Sequence, residues 1–144
     1  MTRYLLDTNV LIPLLWPKHT GQARVRAWFT SNAAKSFATC ALTQAGFLRI
    51  TCSPFITGER FSLSDAQELL LDFINRPAHT FWPTTISYFE ATASFERRMH
   101  GPKQITDGYL LGIAQHHGGK LATMDKAVKS LAGPKHSHLV ELIG

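Results

Sequence analysis

The stretch Arg3–Trp16, RYLLDTNVLIPLLW, is almost wholly apolar, yet a carboxylate, Asp7, stands within it with Thr8 and Asn9 directly behind. Burying an unpaired carboxylate costs several kcal/mol even after the surroundings relax, so a charge at this place needs a partner or a use. The segment divides around it. Arg3–Leu6 reads as a first strand and a helix starts at about Asn9, which leaves Asp7 at the carboxyl end of a strand.

Working outward, strand and helix patterns alternate. Gln22–Ser31 reads as a helix, Ser36–Cys40 as a strand, and the segment LTQAGFLRI after it as a helix. Ser53–Ser64 is a turn-rich connection. Ser64 and Gln67 form an S-x-x-Q capping box that opens the helix DAQELLLDFIN, and Pro77 lies beyond its end. HTFWP (79–83) is a short strand, Ser87–Arg98 a helix and Met99–Ile105 a loop. Thr106 caps the helix DGYLLGIAQHH, which stops at Gly118-Gly119. KLATMD is a strand, KAVKSLA a short helix and HLVELI a last strand. Such alternation points to an α/β fold, a parallel sheet flanked by helices in a single domain.

Composition agrees with a compact chain. Of 144 residues, 44% are hydrophobic and 17% charged, enough to bury a core and unlike a disordered segment. The longest apolar run, VLIPLLW, is well short of the ~18 residues that a membrane span needs, and Asp7 and Asn9 interrupt any signal-peptide core. The two cysteines, Cys40 and Cys52, make neither a disulfide framework nor a C-x-x-C zinc site. The expectation is a soluble, cytoplasmic protein. Lys and Arg number 15 against 10 Asp and Glu, a net charge of +5, which favours an anionic partner such as nucleic acid.

The placement of the acids sharpens this. In an open α/β sheet, ligands bind outside the carboxyl ends of the strands. Asp7 follows the first strand, Asp125 follows KLATM, and Asp107 opens a helix, so three carboxylates distant in sequence converge on one sheet edge. Two carboxylates about 4 Å apart repel by roughly 4 kcal/mol at an effective dielectric of 20, and such a cluster calls for a cation or a shared proton. Mg²⁺ suits it, because it takes a few carboxylates, keeps several waters and accepts phosphate oxygens. Setting the three acids aside leaves 15 basic against 7 acidic side chains, an excess of 8. An acidic pit in a basic surface is what a nuclease requires.

Four segments carry a family resemblance: LLDTNVLI (5–12), ALTQAGFLRI (41–50), QITDGYLLGIA (104–114) and LATMD (121–125). In this order and spacing they resemble the PIN domain, and among PIN domains the VapC toxins of bacterial toxin–antitoxin pairs, over residues 1–144. The resemblance implies a PIN-like (Rossmann-like) fold and an endoribonuclease dependent on Mg²⁺ or Mn²⁺. It also implies a homodimer, an RNA substrate and inhibition by a VapB-type antitoxin. Carried over, Asp7, Asp107 and Asp125 match the acidic metal positions, and Asn9 and Thr123 match polar residues that support them. Gln44 departs from the pattern, which commonly has Glu there. A glutamine keeps one oxygen acceptor but loses the charge, suiting it to orient a metal-bound water rather than to ligate the metal. Glu90 is a candidate replacement carboxylate, although a solvated helix residue is the plainer reading.

Basic residues stand beside this pattern. Arg97, Arg98 and Lys103, just before Asp107, are candidate RNA phosphate contacts. His116-His117 suits a helix C-terminus, and His136 and His138 have H-x-H spacing without a further metal signal. Trp16, Trp28 and Phe29 read as core, with the resemblance adding that the first two helices contribute to an antitoxin groove. Two other readings compete. A phosphotransferase using Asp7 as nucleophile usually wants a second Asp two residues on, where Asn9 stands. A non-catalytic PIN module that binds RNA or a protein, its chemistry lost at Gln44, is the stronger rival.

Overall fold

The computed structural model describes residues 1–53 and 61–144. Its strands are β1 (Tyr4–Leu6), β2 (Phe37–Thr39), β3 (His79–Phe81), β4 (Lys120–Thr123) and β5 (Val140–Leu142). All pair in parallel in the order β3-β2-β1-β4-β5. The helices are α1 (Thr8–Leu15), α2 (Gln22–Asn32), α3 (Ala41–Thr51), α4 (Leu63–Ile74), α5 (Tyr88–Thr92), α6 (Ile105–His116) and α7 (Lys126–His136). The α/β expectation therefore holds, with β1 at the centre. After β3 the chain returns to the other side of β1, so the strand order reverses between β1 and β4. That crevice is where an open parallel sheet binds its ligands.

The pleat sorts the core into two layers. Tyr4, Leu6, Phe37 and Ala122 pack on one face with Val10, Leu11, Phe29, Phe47 and Phe73 from α1–α4. Leu5, Ala38 and Leu121 face the other layer, with Phe95, Leu110, Leu111 and Val128. Strands buried on both faces read as continuous apolar runs, which is why the start of the chain is so greasy. By the same alternation Asp7, one residue after Leu6, shares its face with the α5–α7 layer. Among the described residues both cysteines are free thiols, and no helix is long and apolar enough to cross a membrane.

Several boundaries differ from the sequence reading: β2, β3 and β4 are each two residues shorter than read, and α7 runs to His136 rather than Ala132, with a break at Gly133. The capping box is Ser62 with Asp65, not Ser64 with Gln67. The Ser62 hydroxyl accepts from the Asp65 amide at 3.0 Å, and the Asp65 carboxylate accepts from the Ser62 amide at 3.2 Å, so α4 begins at Leu63. The rest of the turn-rich connection, residues 54–60, lies outside the described residues. The helix read over 87–98 ends at Thr92, because the chain tightens there to bring Phe95 into the core. A 3₁₀ turn follows over Glu96–Arg98. Thr106 is not a cap: a 3₁₀ turn, Pro102–Gln104, runs straight into α6, which puts Asp107 in its first turn. The last strand is shorter than read, with a 3₁₀ turn over Ser137–Leu139 ahead of β5.

Helix α6 carries Asp107, and its seat depends on Gly112. A Cβ on Gly112 would lie 2.0 Å from the Ala91 carbonyl oxygen of α5, a backbone contact that cannot move aside. Gly112→Ala is expected to lower stability by about 1–3 kcal/mol, the usual cost of overpacking, measured by urea unfolding. A variant as stable as wild type would show that α5 and α6 separate freely.

Candidate metal centre

Asp7 is buried, 7% exposed, at the N-cap of α1. Its Oδ1 accepts from the Thr8 amide at 2.8 Å and its Oδ2 from the Thr123 hydroxyl at 2.9 Å. The Thr123 oxygen, fully buried at the end of β4, also accepts from Asn9 Nδ2 at 3.1 Å and from the Asp125 amide at 3.1 Å. Asn9 Oδ1 accepts from the Met124 amide at 3.0 Å. Asn9 and Thr123 thus clip the end of β4 to the start of α1, across the crevice where the strand order reverses.

Asp125 is exposed and caps α7, accepting from the Ala127 amide at 2.9 Å. Asp107 is half-buried. Burial pushes the Asp7 carboxyl above its ordinary pKa, with the charge on Asp125 adding to the rise, while the hydrogen bonds from Thr123 and Thr8 oppose it. Asp107 is raised to about 6, first by burial and then by the charges of Asp7 and Asp125. A first-turn carboxylate normally gains from the helix dipole, so the upward direction shows that desolvation and repulsion outweigh that gain. The three acids therefore feel one another. Yet among the described residues no three His, Cys, Asp or Glu side chains form a ready-made metal cage. All-oxygen acids, two of them lifted by burial and mutual charge, fit Mg²⁺, which typically takes one or two carboxylates and completes its shell with water and phosphate.

The remaining sequence candidates lie around this pit. Gln44 Nε2 donates to Thr39 Oγ1 at 3.0 Å, and Thr39 Oγ1 lies 2.7 Å from His79 Nε2. Burial lowers the pKa of His79, so this end of the chain of polar groups carries no added positive charge near neutral pH. Among the described residues the bond to Thr39 is the hydrogen bond that the Gln44 side chain makes; Gln44 lies in the first turns of α3, and its amide reaches back to the end of β2 rather than to any of the three acids. Neither Thr39 nor His79 stands out in the residue pattern as its partner. Glu90 is exposed on α5, its amide capped by Ser87. Arg97 and Lys103 are exposed, whereas Arg98 donates through Nε and Nη2 to the Ser130 carbonyl at 3.1 and 2.9 Å.

The aromatic and histidine candidates are accounted for by packing. Phe29 is core, while Trp16 and Trp28 are half-buried, their indole N–H groups donating to Thr51 Oγ1 and Glu141 Oε2. His117 caps α6 and stacks on Trp82, centroids 4.7 Å apart.

The pKa of Asp107 sets a pH dependence. Folded Asp107 holds its proton more tightly than the ordinary value of 3.8 allows. The stability that proton confers is complete below about pH 3.8 and is lost as pH rises through 6. In chelator-treated buffer, Asp107→Asn is expected to match wild type near pH 4 and to melt at a higher temperature at pH 8. Equal melting temperatures at both pH values would remove the repulsion.

With the geometry described, comparison with known proteins becomes informative. The PIN domain family pattern matches residues 4–134. Ribonuclease VapC44 of Mycobacterium tuberculosis is 37% identical over 142 residues, spanning 97% of this chain and 99% of its own length. Ribonuclease VapC38 of the same organism is 35% identical over 139 residues, 96% of each chain. The solved structure of FitAB bound to an IR36 DNA fragment superposes with a TM-score of 0.61 over 90% of both chains at 20% identity, a likeness of fold. The chain belongs to the PIN-domain family, in its VapC group.

Proposed function

We propose that this protein is the endoribonuclease toxin of a VapBC-type toxin–antitoxin pair, cutting RNA phosphodiester bonds with the help of Mg²⁺ or Mn²⁺. The observation that carries the reading is the junction of β1 and β4, where the Thr123 hydroxyl donates to the Asp7 carboxylate and accepts from the Asp125 amide; the upward pKa of Asp107, raised by burial and by the charges of Asp7 and Asp125, agrees with it. The names of the VapC44 and VapC38 ribonucleases, similar over nearly the whole chain, supply the reaction class. Residues 1–144 are taken as one PIN domain.

In this reading Asp7, Asp107 and Asp125 hold the metal, which when bound supplies an activated water and neutralises charge on the phosphodiester. Thr123 and Asn9 position Asp7 and the backbone of Asp125. Burial keeps Asp7 in a low-dielectric pocket where its charge acts strongly. Asp107 holds a proton when the pit is empty and the pH is below about 6. Gln44, a neutral amide on α3, orients water at the rim without adding charge. Arg97, Arg98 and Lys103 take RNA phosphates. A VapB-type antitoxin, a homodimer and a cytoplasmic setting complete the proposal, drawn from the VapC group.

The test is substitution with a binding readout. Asp7→Asn, Asp107→Asn and Asp125→Asn should each cut RNA cleavage by at least a hundredfold while remaining folded. Mg²⁺ should raise the melting temperature of wild type and not of Asp7→Asn, since a ligand of the folded state alone stabilises it by mass action. Cleavage by Asp7→Asn at the wild-type rate would overturn the assignment. The non-catalytic rival predicts a wild-type protein inert at every Mg²⁺ concentration.

A further inference from the structure

Helix α7 ends in a break that sequence alone left unused. Gly133 has φ +74° and Pro134 follows it. A Cβ at Gly133 would meet Arg98 Nε at 2.7 Å, besides being strained by that φ. The break therefore lets Arg98 lie flush against α7, where the Ser130 carbonyl fixes its guanidinium.

Two clefts meet at this arginine. One, of about 780 Å³, is lined by Ser94, Arg97, Arg98, Lys135 and His136, with Glu96 its one acid. The other, of about 300 Å³, is lined by Arg97, Arg98, His100, Gln104 and Ser130. Because Arg97 and Arg98 border both, they form one basic trough. Its near end is Gln104, the residue before α6 and three before Asp107. Its far end lies beyond the α7 break. From Asp125 at the α7 N-cap to Gly133 is eight residues, about 12 Å at 1.5 Å per residue. None of Arg97, Arg98 and Lys135 is in an ion pair among the described residues, so their charge is available to a ligand.

We propose that this trough carries the phosphate backbone of single-stranded RNA onward from the Arg97 and Arg98 contacts to Lys135 and His136, gripping the substrate a few nucleotides away from the acid pit. The inference rests on the ribonuclease reading above and adds to it where the strand runs. Arginine forks suit phosphate geometry, and a strand reaching both ends of α7 meets the pit and the trough at once. An acidic protein segment is the alternative occupant.

The test uses Arg97→Ala with Lys135→Ala, exposed positions whose side chains hold no hydrogen bond among the described residues, unlike Arg98. Wild type should lose affinity as a single-stranded RNA is shortened until it no longer reaches the trough. The double variant should bind the long RNA about tenfold more weakly. Its affinity should also fall less steeply with salt, the slope of log K against log [salt] dropping by about 1.4 for two phosphate contacts. The double variant should show a weaker dependence on RNA length, since only Arg98 remains to hold phosphate in the trough. Wild-type affinity and salt slope in the double variant would overturn the proposal, as would unchanged RNA binding with a lost complex to a co-expressed acidic protein. Failure of the ribonuclease reading is scored separately, on wild type alone, by the absence of metal-dependent cleavage.

Discussion

The hydrogen bond from Thr123 to Asp7 is the contact on which the rest of the arrangement depends. It joins the ends of β1 and β4, the two strands between which the sheet reverses its order, and it supports a carboxylate that is only 7% exposed. The same hydroxyl oxygen accepts from Asn9 and from the Asp125 amide. One buried hydroxyl therefore sets the position of one acid directly and of a second through its backbone. A buried polar network is worth having only when every member is satisfied, and this hydroxyl is used in both directions.

The third acid is held differently. Asp107 owes its place to the packing of α6 on α5, where Gly112 lets two backbones approach, and its carboxyl is left half-buried with like charges for neighbours. Stability is given up there: charge on Asp107 opposes folding, as the direction of its pKa shows. Such local cost is what the proposed metal role predicts, because acids placed to share a cation repel one another without it.

Much of this was legible in the sequence. The apolar runs of β1 and β4 and the periodic helices between them give the α/β order, and the acids just beyond those strands mark the binding edge. What escaped reading depended on tertiary contacts. Ser62 and Ser64 both satisfy the helix-start pattern, and which one caps α4 is decided by where the chain enters. Thr106 looked like a cap because nothing local shows that Pro102–Gln104 already winds into α6. Gln44 was legible as a departure from the family pattern, but its amide is turned by Thr39 and His79, residues 5 and 35 positions away in opposite structural settings, and no local pattern encodes that.

Helix α7 shows why fold and charge need not compete. Its N-cap is Asp125 and its last turn carries Lys135 and His136, the polarity that the helix dipole favours at each end. An acid that caps the helix also faces the pit, and the bases that complement its C-terminus also line the trough. The Gly133-Pro134 break ends the regular helix where Arg98 must approach. A sequence selected only for a stable helix would already place negative charge at one end and positive at the other. Here those ends lie at the acid pit and at the basic trough, so in the proposed reading the electrostatics of a single helix set the direction in which an anionic strand runs across the surface.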